Sequence, residues 1–263
     1  MTTLTSYMGI ARDAARWRAI TSKTPEISMQ TKYFQDNIAK VKNADDLIGD
    51  ARLFAYAMKA FDLGDRLYAK GLMKQVLQQG TASADTLAFK LNNPNIKAFA
   101  KAFDFAGKGA QATASAAFAA KIVDQYVENA MEARQTQADA GVGLALYFQR
   151  KAPDATSVYS ILADRKLLQV VQTALDISPM TGLMPIDRQA ALLSKKLDIA
   201  DFGNPEKLQK FITRFAAQYD YRNAGASAAG ATATNAILLG AAQDFGGGFS
   251  VNLLQAMQAY RAY

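Results

Sequence analysis

Apolar side chains return every three or four positions along most of this chain, and nothing in it alternates with the two-residue period of a strand. The clearest stretch is Asp46–Leu63, DLIGDARLFAYAMKAFDL. In it Leu53, Phe54, Ala57, Ala60 and Phe61 are spaced to lie on one face of a helix. The pattern returns 114 residues later in Ser160–Ile177, SILADRKLLQVVQTALDI, where Leu167, Leu168, Val171, Ala174 and Leu175 take the same places. Asp50 then meets Asp164, and Asp62 meets Asp176. Further on, Ile96–Phe103 pairs with Leu208–Phe215 at an offset of 112. These matches predict an all-α, multi-helix body over residues 24–222. It is built from two tandem related helical units, about 24–108 and 109–222, with each motif copy a helix burying the same face.

The signals between these stretches place the other helices. Thr24-Pro25-Glu26 supplies a cap, a proline at the first helical position and an acid in the first turn. The helix it opens turns Ile27, Tyr33, Phe34, Ile38 and Val41 inward. Asn43 caps the next, with Asp45 and Asp46 in its first turn. Asp65 is placed to cap a helix running to Gln79-Gly80, and Asn93-Pro94 launches the Phe99/Phe103 helix. After the break at Gly107-Lys108-Gly109, an Ala-rich connecting helix carries a stripe of Phe118, Ile122, Tyr126 and Met131. Gly141-Val142-Gly143 interrupts or bends it before the apolar Leu144–Phe148, which Pro153 ends. A helix over Ile186–Leu197 and a second cap-proline-acid start at Asn204-Pro205-Glu206 complete the body.

Both chain ends lie outside that pattern. Residues 1–23 read as a short amphipathic helix carrying Leu4, Met8, Ile10 and Trp17, with Arg12, Arg16 and Arg18 elsewhere on the wheel. From 223 the composition turns to small residues, with Gly246-Gly247-Gly248 as a flexible point. Residues 251–263 become amphipathic again through Val251, Leu253, Leu254, Met257 and Tyr260. These two terminal segments are the candidate partner-docking elements.

Composition narrows the chemistry. With no cysteine and no histidine in 263 residues, disulfides, thiolate metal sites, cysteine nucleophiles and imidazole bases are excluded. The net charge of +7 is spread through the helices without a basic block, which favours a solvated surface over a nucleic-acid patch. No run is long enough to span a membrane, and the N-terminus lacks the pattern of a cleavable signal peptide. The one dense glycine run, 246–248, has neither the lysine nor the strand of a phosphate-binding loop. Glu128 and Glu132 share a helix face with Asp124, and neighbouring Lys121 and Arg134 make a solvated, salt-bridged surface the simplest reading. Asp50 and Asp164, occurring evenly in both copies, suit capping or a buried pair. No catalytic, metal or cofactor residue emerges, and the expectation is a protein that is not an enzyme.

The chain resembles the bacterial family DUF1217. The resemblance lies in Thr24-Pro25-Glu26, the Tyr33-Phe34 helix, the Asp46–Leu63 motif and Asn93-Pro94 with Phe99 and Phe103. It continues in Ala145-Leu146-Tyr147-Phe148, Ala163-Asp164-Arg165-Lys166-Leu167-Leu168 and Arg214-Phe215, and so covers about 24–216. It implies an all-helical fold and a link to flagellar genes of alphaproteobacteria, and it brings no catalytic residues. The end of the chain, Val251-Asn252-Leu253, then Met257, then Arg261-Ala262-Tyr263, is similar to the C-terminal helix of flagellar rod and hook proteins. The expected function is structural or assembly-associated docking between proteins, with flagellar axial or basal-body components or further copies of the chain as partners. The expected location is the cytoplasm or the flagellum. The alternative is a basic peripheral module that binds acidic lipid or nucleic acid.

Overall fold

A computed structural model describes residues 2–223. The chain divides into two units, Met1–Tyr219 and Asp220–Tyr263. Of the second, residues 220–223 are described and are helical. The expected linker and terminal helix beyond them lie outside the described residues.

Within the first unit the elements are all helical, and side-chain oxygens set most of their starts. The N-terminal segment is two helices, α1 (Thr3–Arg12) and α2 (Ala14–Ser22). The single amphipathic helix expected there is broken because Asp13 leaves helical geometry and turns its carboxylate onto the Arg16 amide. Then come α3 (Pro25–Asn37), α4 (Ala44–Gly49) and α5 (Ala51–Ala60). The chain continues through α6 (Lys70–Gln79), the short α7 (Leu87–Lys90), α8 (Pro94–Phe103) and the short α9 (Phe105–Lys108). Asn43 and Asn93 cap α4 and α8 as their spacing predicts. Asp65 does not cap α6: it sits in a 3-10 turn over Gly64–Arg66, and α6 begins four residues later. Gly80 ends α6 at a φ of 65°, where an added Cβ would meet Ala106 at 2.8 Å.

The long helix α10 (Ala116–Ala138) starts at the Ser115 cap, after a 3-10 turn takes up the residues following Gly109. It is followed by α11 (Ala140–Lys151), α12 (Val158–Ala163), α13 (Arg165–Ala174), α14 (Ile186–Ser194) and the helical stretch 205–219. The break between α10 and α11 lies at Asp139, whose carboxylate accepts the Gly141 and Val142 amides. The two glycines are therefore not the break. They allow close approach: a Cβ at Gly143 would collide with Thr136 of α10, and one at Gly141 with Tyr219 and Thr3.

Each motif copy is also two helices rather than one. Asp50 stands between α4 and α5 in extended geometry and accepts the amides of Arg52 and Leu53. Asp164 does the same between α12 and α13 for Lys166 and Leu167. The helix ends match too. Leu63 donates to the Met58 carbonyl and Ile177 to Gln172, with Asp62 and Asp176 at positive φ (58° and 53°) in the place glycine usually takes.

Two aromatic cores result. The first joins α3 to α10 around the stack Phe34, Tyr56 and Tyr126, with ring centroids 4.4 and 3.8 Å apart, and the cluster of Phe61, Phe99 and Phe103. In the second, Phe148 of α11 stacks on Phe211 of the 205–219 stretch, Phe202 of a 3-10 turn over Ile199–Gly203 meets both rings edge-on, and α13 adds Val170, Val171 and Ala174. Helix α1 belongs to this second core: Tyr7 is fully buried there and donates to Gln209 Oε1.

Helix α10 lies between the cores, and a polar fork fixes it. Arg150 of α11 binds both oxygens of Glu132, at 2.6 and 2.7 Å, and the Asn129 side-chain oxygen at 2.6 Å. Asn129 in turn donates to the Lys59 and Ala60 carbonyls at the end of α5. Glu132 is thus buried with Arg150 as partner, and Glu128 pairs with Arg18 at 3.1 Å; the solvated row facing Lys121 and Arg134 is not formed. The sequence pointed elsewhere because both partners come from other helices. Arg150→Met alone is expected to cost about 3–5 kcal/mol by stranding a buried carboxylate. The double variant Arg150→Met/Glu132→Leu should recover most of that loss, as read from urea unfolding midpoints.

Candidate functional site

The two cores frame a half-open cleft of about 1130 Å³. One face of α10 forms its floor, where Tyr126, Asn129, Ala130, Ala133, Arg134 and Gln137 recur at helical spacing. The start of α3, the Asp62–Arg66 turn and the Asn93-Pro94-Asn95 start of α8 form one wall. The opposite wall is Tyr147 of α11 with Ala163–Lys166, the junction of α12 and α13.

At that junction a small constellation is built on the cap. Asp164, nearly buried, takes two amides on Oδ1 and the Tyr147 hydroxyl on Oδ2 at 2.6 Å. The Lys166 ammonium lies 4.6 Å from the centre of the Tyr147 ring and reaches across the cleft to Asp62 at 2.8 Å. The first motif copy carries the same set: the Tyr33 hydroxyl on Asp50 at 2.7 Å, with the Arg52 guanidinium 3.6 Å from the Tyr33 ring centre. There the set is more exposed. Partial burial opposes ionisation of Asp50, yet the amides of Leu53 and Arg52 and the Tyr33 hydroxyl hold its carboxyl below the usual range.

These bonds decide what the site can do. Asp164 and Asp62 are engaged in structure. Burial, and next the Asp164 charge, raises the Tyr147 phenol and keeps it protonated. Lys151, beside the cleft, has its amine lowered chiefly by burial, and donates to Asn95 at 3.2 Å. At the rim, Arg134 and Arg165 are exposed, and among the described residues neither has an ion pair or hydrogen bond. The arrangement suits binding by shape and surface charge. No group of acidic residues among the described ones is placed to hold a metal ion, and none of the described helices is long and apolar enough to cross a membrane.

The residues singled out from the sequence lie elsewhere. Ile10 is buried in the second core, Leu4 and Trp17 are half-buried, and Met8 is 37% exposed. Val251, Leu253, Leu254, Met257 and Tyr260 lie outside the described residues. The cleft residues Asp62, Arg134, Tyr147, Arg165 and Lys166 were missed as a site. Four of them, all but Arg134, fall in stretches that carry the family resemblance, but nothing in the spacing shows that these segments meet.

The fold and cleft together define an all-α protein with a half-open groove between two aromatic cores. The chain belongs to the family described as proteins of unknown function, DUF1217, whose profile matches residues 60–208. It is similar to a solved structure, that of protein AGR_C_984 from Agrobacterium tumefaciens. The identity is 37% and the TM-score 0.78, over 84% of this chain and 94% of that one. Among curated proteins nothing matches.

Two outcomes follow from the Tyr–Asp sets. Asp164→Ala removes a cap and leaves the buried Tyr147 hydroxyl without its acceptor. It should cost about 3 kcal/mol in urea unfolding, against about 1 kcal/mol for Asp50→Ala. Burial also raises Tyr56, and raises Tyr7 to about 12. Because the folded chain holds these protons more tightly than the unfolded one, the stability they give is intact below about pH 10. It is lost as pH rises through the folded values. A jump to high pH should therefore show a slow phase of tyrosinate absorbance that coincides with unfolding. Complete ionisation within the mixing time would contradict this.

Proposed function

We propose that this protein is a non-enzymatic docking component of flagellar structure or assembly, located in the cytoplasm or at the flagellum. The observation that carries the docking reading is the cleft, whose buried hydrogen-bonding groups are engaged in structure while its surface charges face outward. A second surface supports it: Met180, Leu183, Met184 and Ile186 stand 42–81% exposed around one 3-10 turn, the kind of apolar cluster that marks contact surfaces. The partners are proteins, either axial or basal-body components or further copies of the chain. The flagellar assignment rests on what the family resemblance implies and on the rod-like and hook-like sequence at 251–263. The recurrence of the Tyr–Asp–cation set and of the helix ends supports duplication of one helical unit, with segments 1–23 and 223–263 attached to a body over 24–222.

The test is quantitative mass spectrometry of purified hook–basal bodies and filaments beside the cytosol of the native bacterium. Recovery at a fixed stoichiometry with the flagellar structure is expected for an axial or basal component. Confinement to the cytosol, with no flagellar protein co-purifying there, would refute the flagellar reading.

A further inference from the structure

We infer that the cleft receives an acidic, extended segment of a partner protein; this deepens the docking reading and rests on it. Size is the first argument. Sites for small molecules run from roughly 300 to 1,000 Å³ and enclose most of their ligand. At about 1130 Å³ this cleft lies just above that range, and being half-open it would leave a small molecule poorly enclosed, which suits a chain segment better.

Charge is the second argument. Asp62 is paired with Lys166, and Asp65 lies 4.0 Å from Arg66. Asp164 has its oxygens turned onto two amides and a hydroxyl. Towards solvent stand Lys59, Arg66, Arg134 and Arg165 against Glu26 and Asp65, so cations outnumber acids. The first turn of α3, with no side chain capping it, also opens on the cleft and adds the positive end of one helix.

The lining itself is the third argument. Between the charged rims Ile27 and Leu63 on the wall, with Tyr126 and Ala130 on the floor, make an apolar lining that suits short apolar side chains alternating with acids. The Asn93 side-chain NH2, whose oxygen caps α8, stands on the wall within the same cleft, where a peptide backbone would run. A small inorganic anion would engage the arginines but leave that apolar lining uncovered.

The test uses the full chain and a fluorescein-labelled peptide of about ten residues alternating Glu with Ala or Leu, long enough when extended to cross the cleft. Fluorescence anisotropy should show binding that weakens with salt. The double variant Arg134→Glu/Arg165→Glu should lose at least about tenfold in affinity. Lys195→Glu, outside the cleft, should bind as the parent does. Both altered arginines are exposed and without partners among the described residues, so the thermal midpoint should not move. Equal peptide binding by the double variant and the parent, or none by the parent, overturns the inference. Displacement of the peptide by stoichiometric inorganic pyrophosphate would identify a small-anion site and also overturn it. Failure here is separable from failure of the docking reading. If the double variant loses the peptide but is still recovered with hook–basal bodies at the parent's stoichiometry, the cleft is not the docking site and the docking function stands.

Discussion

The Arg150 guanidinium holds three helices of different origin in one geometry. Two of its nitrogens clamp Glu132 on α10, and one also orients Asn129, whose amide closes the last carbonyls of α5. Burial alone would discharge both members of the pair. It raises the Glu132 carboxyl against the pull of Arg150, while Glu132 holds the guanidinium charged. Such a pair adds less net stability than a well-packed apolar substitute would. What it supplies is geometry: a bidentate fork tolerates little rotation, so α10 is fixed against α11 while its other face serves the first core. The cleft floor is that same helix, and its shape depends on the fork.

The second constraint is the aspartate that divides each motif. Asp50 and Asp164 end one short helix and begin the next, and the bonds that cap the new helix leave one oxygen for a tyrosine 17 residues earlier. Tying a cap to a side chain on a preceding helix sets the angle between α3 and α5, and between α11 and α13. The cation two residues past each aspartate then lies over the tyrosine ring. In the first copy this set faces outward. In the second it faces α10 and meets Asp62, so one local device serves as a surface feature in one place and as a wall of the cleft in the other.

Much of the helical content was legible because it follows from periodicity and capping, which are local. Asn43, Asn93 and Asn204 act where their spacing places them, and the apolar stripes of α5, α8 and α13 are buried as the period requires. The errors share one cause. Asp13, Asp50, Asp139 and Asp164 interrupt continuous apolar patterns because a carboxylate that caps the following turn competes with helix continuation, and periodicity does not record that competition. Residues that act across segments were not legible: Arg150, Asn129 and the Asp62–Lys166 pair join positions 18 to 104 residues apart. Reading Glu132 as surface failed for the same reason, since its partner lies on the next helix and not on its own.

That limit also explains why the cleft gave no signature in the sequence. Its floor is an ordinary helical face with alanines at 130 and 133, and small side chains there read as neutral filler. Only when α3 and α13 stand on either side does their smallness become the depth of a trough. Arg134 and Arg165, each an unremarkable surface cation in its own helix, then face the same space. The electrostatic consequence is collective: carboxylates bound to amides and ammonium groups inside the walls leave the opposite charge dominant at the opening, where solvent screening is weaker than on a convex surface. A cleft assembled this way needs no residue whose chemistry would announce it in sequence.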